Sequence, residues 1–268
     1  MIDRQRESNR PGTLASHPTP ERPVPAGLAV PWGMRQVLWG IGLTVLPLSL
    51  LLVATQLLPQ PAAPAATRPL PPAVDAASAV TVFIASAIVE AIFLIAPLYF
   101  ALKYRPIGSP RRAALQLLGL RRSSLWRAVW LVLAGYAAVF VFGVLYDQLN
   151  IKTNADALAR QVAHAPITTI ATLLVAVTVA PFAEELFFRG FVLPSFARAM
   201  PLWAAVLLSA LIFGLAHADL GSLLPLCAIG LVLGIIRWRA GSSWPGIALH
   251  AVNNGVATIV ILASTLHH

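Results

Sequence analysis

Charge and cysteine are what this sequence has least of. Only 11% of its 268 residues are Asp, Glu, Lys or Arg, where a soluble domain carries about 25%. The one cysteine, Cys227, sits inside an apolar run. A disulfide framework or a cysteine-ligated metal site within one chain is therefore excluded. Acidic side chains are the scarcer sign, ten against nineteen Lys and Arg, which leaves a formal charge of +9. Such a balance raises nucleic acid as a partner. The placement of the charges argues against it, because they flank apolar segments and form no basic face with interleaved aromatics.

Apolar length is what the chain has in abundance, with 58% hydrophobic residues. A helix that crosses a bilayer needs about 20 mostly apolar residues. On that basis seven segments are expected: Val37–Leu58, Ser78–Leu102, Trp126–Leu149, Pro166 to about Phe196, Trp203–Ala218 (short by this standard), Leu223–Trp238 and Trp244–Leu266. The predicted fold class is all-α, a polytopic transmembrane bundle of about seven spanning helices with short interfacial ones. Ala113–Leu120, between Arg111-Arg112 and Arg121-Arg122, reads as such an interfacial helix. Pro59 to Ala77 is too rich in proline for a helix.

Three regions are expected. Residues 1–35, with five arginines among Pro, Ser and Thr, read as a disordered basic tail and not as a signal peptide. Residues 36–122 hold the first membrane helices and a basic connector, and residues 123–268 hold the core. With the N-terminus in the cytoplasm, sixteen of the nineteen Lys and Arg fall on the cytoplasmic side and only Arg68, Lys152 and Arg160 on the other. That asymmetry supports this orientation. Trp126, Trp130, Trp203, Trp238 and Trp244 fall near segment ends and read as interfacial anchors.

Against this background Glu184, Glu185 and Arg189 are conspicuous, because charges inside a membrane-grade segment are expensive and a functional reading is the default. Residues four apart on a helix share a face, and adjacent ones lie roughly 100° apart. Glu185 and Arg189 are therefore expected to pair, leaving Glu184 to face a cavity as a general base. Pro181 is expected to open the helix beside it. The three charges also read as a buried ion network that fixes the bundle.

Two later segments supply partners. Phe213 and His217 are four apart, as are His250 and Asn254. His217 also reads as a satisfied polar group of the core, and interhelical hydrogen bonding explains His250 and Asn254 as readily as a ligand site does. Glu90, alone in the second segment, reads as either a site residue or an interhelical contact. Asn253 is expected to pack away from Asn254, and Asp219 to cap a turn.

Taken together, Glu184-Glu185-x-x-x-Arg189, Phe213-x-x-x-His217 and His250-x-x-x-Asn254 resemble the motifs of the CPBP family. These are the CAAX prenyl endopeptidases and bacteriocin-processing proteins, also called Abi proteins. The likeness runs from about Thr168 to Leu262, and Leu118 to Arg122 is similar to the family's lead-in. It implies an intramembrane endopeptidase in which Glu184 activates water with help from His217. His250 and Asn254 would stabilise the oxyanion, and Glu185 and Arg189 would support the site. The implied partners are a membrane-associated peptide or protein substrate and the lipid bilayer, with no nucleic acid. A non-catalytic scaffold or a bacteriocin-immunity protein that keeps the motif is the alternative.

Two histidines and a glutamate also suit zinc, but the His-Glu-x-x-His spacing is absent. The expectation is no metal and no cofactor. Depth poses a difficulty. From the helical rise, His217 lies roughly 21 Å along its segment but His250 only roughly 9 Å into its own, with Glu184 between. They meet if the fifth helix is shallow or tilted, or if the boundaries are off by a turn. The family resemblance points to the boundaries.

Overall fold

The computed structural model describes residues 23–57, 70–151 and 164–266. Among them the ordered elements are all helical, and together they form a bundle. A single 3-10 turn, Ala26–Leu28, precedes α1 (Met34–Leu57), α2 (Pro72–Tyr104), the short α3 (Arg112–Leu117) and α4 (Leu125–Asp147). α5 runs over Pro166–Ala199, α6 over Leu202–Ala216, α7 over Leu223–Ala240 and α8 over Trp244–Leu266. By length and composition α2, α4, α5 and α7 suffice to cross a membrane, while the described apolar parts of α1 and α6 are shorter. All seven expected segments are helical, but only these four meet that standard among the described residues. Lipid-grade side chains cover the outside, as on α4, where Leu133, Phe140, Val141 and Leu145 are all exposed.

α5 is the axis of the bundle. α2 packs along most of its length, and α8, α6 and α7 also touch it. Its start is fixed from outside. Ala165 offers no side chain to cap the first turn, and Asp75 of α2 takes that role. The Asp75 carboxylate accepts from the Ile167 and Thr168 N–H groups, both at 2.9 Å, and from the Thr168 hydroxyl at 2.7 Å. A carboxylate on the orphan N–H groups of a helix start satisfies them and suits the helix dipole. α2 therefore begins earlier than composition indicates: the Pro/Ala connector gives way to helix at Pro72, a residue suited to the first helical position. The part of that connector at 59–69, with Leu58 before it, lies outside the described residues.

α5 continues through Pro181 and widens into π turns over Leu186–Val192, directly after Glu185.

One end of the bundle is closed by a cap that the sequence reading placed in a disordered tail. Residues 1–22 lie outside the described residues, but residues 23–33 pack. Leu28 and Trp32 are fully buried. Trp32 donates from Nε1 to the Phe191 carbonyl at 3.2 Å, and Arg198 donates to the carbonyls of Val30 and Trp32. Arg121 reaches the Gly27 carbonyl at 2.7 Å, and Ser243 bonds Leu118 and Gly119. An apolar core contact plus backbone acceptors for arginine thus orders a segment whose composition alone suggests disorder. The same contacts tie residues 23–33 and 118–121 to the bundle's core, across the region boundaries expected at 35 and 122.

This cap resolves the depth difficulty. The boundaries of α6 and α8 fall within two residues of those expected, so they are not at fault. The turn between α7 and α8 is itself internal, with Ser242 and Ser243 fully buried beneath the cap. α8 therefore begins inside the protein, and His250 reaches the level of Glu184 after a short climb. α5 and α6 meet at the turn around Pro201, which puts Glu184 and His217 at similar distances from it along their two helices.

Candidate active site

Glu184 is 92% buried, and its Oε2 has no hydrogen-bond partner in the protein. The Nε2 atoms of His217 and His250 each lie 4.0 Å from that oxygen. The four-residue spacings deliver these groups as helix geometry requires: α5 presents Glu184, the C-terminal end of α6 presents His217, and α8 presents His250. His217 Nδ1 lies 2.8 Å from the Phe213 carbonyl. A carbonyl only accepts, so Nδ1 carries a hydrogen, and Nε2 is the ring nitrogen that faces Glu184. Contacts of 4.0 Å are too long for a direct hydrogen bond and invite a bridging water.

Glu185 points the other way. It accepts from Arg189 at 2.7 Å, with both side chains fully buried. Arg189 also donates to the Gly230 carbonyl at 3.1 Å and stacks over Phe213 at 4.4 Å. Phe213 in turn meets the rings of His217 and His250 edge-on. The ion pair is thus fixed behind the imidazoles, and the division between Glu184 and Glu185 expected from helix faces is the one observed. His250 Nδ1 lies 3.5 Å from Glu185 Oε1, so this ring spans the two carboxylates. Gly246, one turn before His250, makes room: a Cβ there would sit 2.7 Å from Glu185 Oε2. Nothing in the sequence pattern marks that glycine.

These residues line a cavity of about 370 Å³. α5 contributes its wall from Glu184 back to Thr172, α8 from His250 to Asn254, and α6 its end at Phe213 and His217. On every helix the lining runs away from the capped end. Asn254 donates from Nδ2 to the Ala176 carbonyl at 2.8 Å. Asn253, expected to pack elsewhere, also lines the cavity, as do Ser86 and Glu90 of α2. Asp219 behaves as expected, accepting from the Gly221 N–H and the Ser222 hydroxyl in the turn after α6. Zinc bound at 2.0–2.2 Å holds its ligand atoms about 3.4 Å apart, closer than the 4.0 Å seen between Glu184 and each imidazole. Among the described residues no group of three His, Cys, Asp or Glu side chains has metal-binding spacing.

The fold and cavity define a helical integral membrane protein with a buried carboxylate–imidazole centre. Residues 166–256 match the family described as type II CAAX prenyl endopeptidase Rce1-like. That match covers the helices that carry Glu184, His217, His250 and Asn254, and it agrees with the resemblance of the three motifs to the CPBP family. The protein named "Putative membrane peptidase YdiL" of Bacillus subtilis (strain 168) is 28% identical over 130 residues, which is 48% of this chain and 50% of that protein. The chain thus spans about half the length of the curated relative it matches. No solved structure matches.

Proposed function

We propose that this chain is an intramembrane endopeptidase working through water activated by Glu184. Glu184 Oε2 takes a proton from water held between it and the His217 Nε2 lone pair. The resulting hydroxide attacks the scissile carbonyl carbon. The His250 ring and the second amide N–H of Asn254 donate to the developing oxyanion, a kind of contact worth about 3–4 kcal/mol in a water-excluded site. Collapse of the intermediate breaks the C–N bond, and the proton taken from water passes to the leaving amine. Glu185 and Arg189 hold His250 and Phe213 in place. No step requires a metal or other cofactor.

The observation that supports this reading best is the unpartnered oxygen of Glu184, with two imidazole nitrogens 4.0 Å from it in one cavity. The substrate is a membrane-associated peptide or protein. The N-terminus is cytoplasmic, in a bacterial inner membrane, which puts the cap and the arginines that bond it on the cytoplasmic side. The cavity runs away from that cap, so substrates enter from the opposite half of the bilayer.

The test is cleavage of a peptide library by the purified protein in nanodiscs, read by mass spectrometry, with Glu184→Gln alongside. Loss of general-base catalysis predicts a fall of about 10²–10⁴-fold with the thermal unfolding transition kept. Undiminished cleavage or full biological activity from Glu184→Gln would overturn the reading and favour a non-catalytic scaffold. Activity abolished by a chelator and restored by zinc would overturn the metal-free chemistry.

A further inference from the structure

Glu90 is the carboxyl in the cavity that this mechanism leaves unused. It stands on α2, outside the matched segment and outside all three motifs. Its rival role, an interhelical hydrogen bond, calls for a partner on a neighbouring helix. Among the described residues it has none: Oε2 is buried without a hydrogen bond, and no cation pairs with the carboxyl. Glu90 instead faces the cavity that holds Glu184, with Ser86 one turn away on the same wall.

The charges around that cavity are lopsided. Glu90 and Glu184 line it, and no Lys or Arg does. The nearest buried guanidinium, Arg189, is committed to Glu185 and the Gly230 carbonyl. Val175, Ala180, Leu226 and Ile229 complete the walls with apolar surface. Carboxylates in such a site are poorly solvated, so a ligand that brings a positive charge with hydrogen-bond donors gains most there. Glu90, Ser86 and Glu184 line one cavity, so a ligand that meets Glu184 there shares the space with Glu90 and Ser86.

We propose that Glu90 is a specificity-determining residue that selects a lysine or arginine side chain close to the scissile bond. This rests on the peptidase reading, and the motif residues do not supply it. Glu90 recognises substrate and is not required for water attack.

The experiment uses the full chain in nanodiscs and a matched set of apolar, internally quenched peptides. Each carries Lys, Arg, norleucine or Glu at one position flanking the cleavage site. A charge-assisted contact predicts a preference of about 10- to 100-fold in kcat/KM for the basic peptides over norleucine. In Glu90→Gln that preference collapses, while cleavage of the norleucine peptide is retained. An unchanged preference, or an equal fall on every peptide, would overturn the assignment.

Binding supplies a readout independent of turnover. Fluorescence anisotropy compares the Lys and norleucine peptides on Glu184→Gln and on the Glu90→Gln/Glu184→Gln double variant. Selective binding of the Lys peptide that disappears in the double variant supports the role of Glu90 even if the wild type cleaves nothing, an outcome that would sink the peptidase reading alone. Equal binding of the two peptides to Glu184→Gln would overturn the role of Glu90.

Discussion

The two ends of the bundle both bury polar atoms without partners, yet they differ in kind. At the cavity end, Glu184 and Glu90 have unbonded oxygens beside open space. At the capped end, Arg237 is fully buried, and its three guanidinium nitrogens have no hydrogen-bond partner in the protein. There the packing is tight: a Cβ on Gly119 would lie 2.7 Å from Arg237 Nη2 and 2.6 Å from Ser243 Oγ. Burial also pushes the neighbouring Arg121 below the usual arginine range. An unbonded buried group therefore points to chemistry only where a substrate has room to reach it. The capped end holds the α7–α8 turn inside the protein, and the cavity end uses the position this gives to His250.

The sharpest way to break this contrast is to cut the link behind the imidazoles. Arg189→Leu leaves the Glu185 carboxylate buried without its cation. Removing one partner of a buried pair costs about 3–5 kcal/mol. Denaturation in mixed micelles is expected to show a loss of that order, with the cavity end disordered as His250 loses its backing. A loss under about 1 kcal/mol, the worth of an exposed pair, would mean that the pair is not structural.

Gly119→Ala tests the other end. Its φ of +83° and its contacts with Arg237 and Ser243 leave no place for a methyl group. Overpacking of this kind costs about 1–3 kcal/mol. Glu184 and His217 are untouched, but Ser243 leads into α8 and His250, so kcat of the folded fraction is expected to fall as well. A kcat that holds while stability drops would show that the position of His250 does not depend on the capped end.

What could be read from the sequence divides along the same line. Helix positions followed from apolar run length, because lipid-facing and core-facing residues alike must be apolar. The pairing of Glu185 with Arg189, and the separation of Glu184 from both, followed from helix periodicity. The cap was missed because Pro23, Pro25 and Pro31, with Gly27 and Gly33, continue the helix-breaking composition of the tail before them. What orders them is the burial of Leu28 and Trp32 and long-range bonds from Arg121 and Arg198, which no local pattern reports. The depth conflict arose for the same reason, since a turn of Gly and Ser reads as surface when nothing in the sequence says that another segment covers it. Asn253 was set aside by its angle to Asn254, yet a cavity wide enough to meet both has no need for them to share a face. The π turns after Glu185 carry no sequence signature at all.

The smallest of these effects is expected at Asp75, where α2 holds the start of α5 at the cavity end. Its carboxylate is the cap for Ile167 and Thr168, and Ala165 has no side chain to replace it. Loss of such a cap costs about 0.5–2 kcal/mol. Asp75→Ala is therefore expected to lower stability within that range, and Asp75→Asn less, since an amide oxygen still accepts from one N–H. Hydrogen exchange should locate the change. Protection is expected to fall at residues 167–170, the first turn of α5, and to persist at 186–192, where the π turns are buried on all sides. Thr172, on the cavity wall only one turn further along α5, should loosen with it. Peptide affinity should then weaken while the rate of the bond-breaking step holds, because Glu184 lies three turns away on a part of the helix fixed by α6 and α7. Equal losses in both would mean that α5 moves as one rigid rod, and that the cavity end depends on its outer cap as strictly as on the inner one.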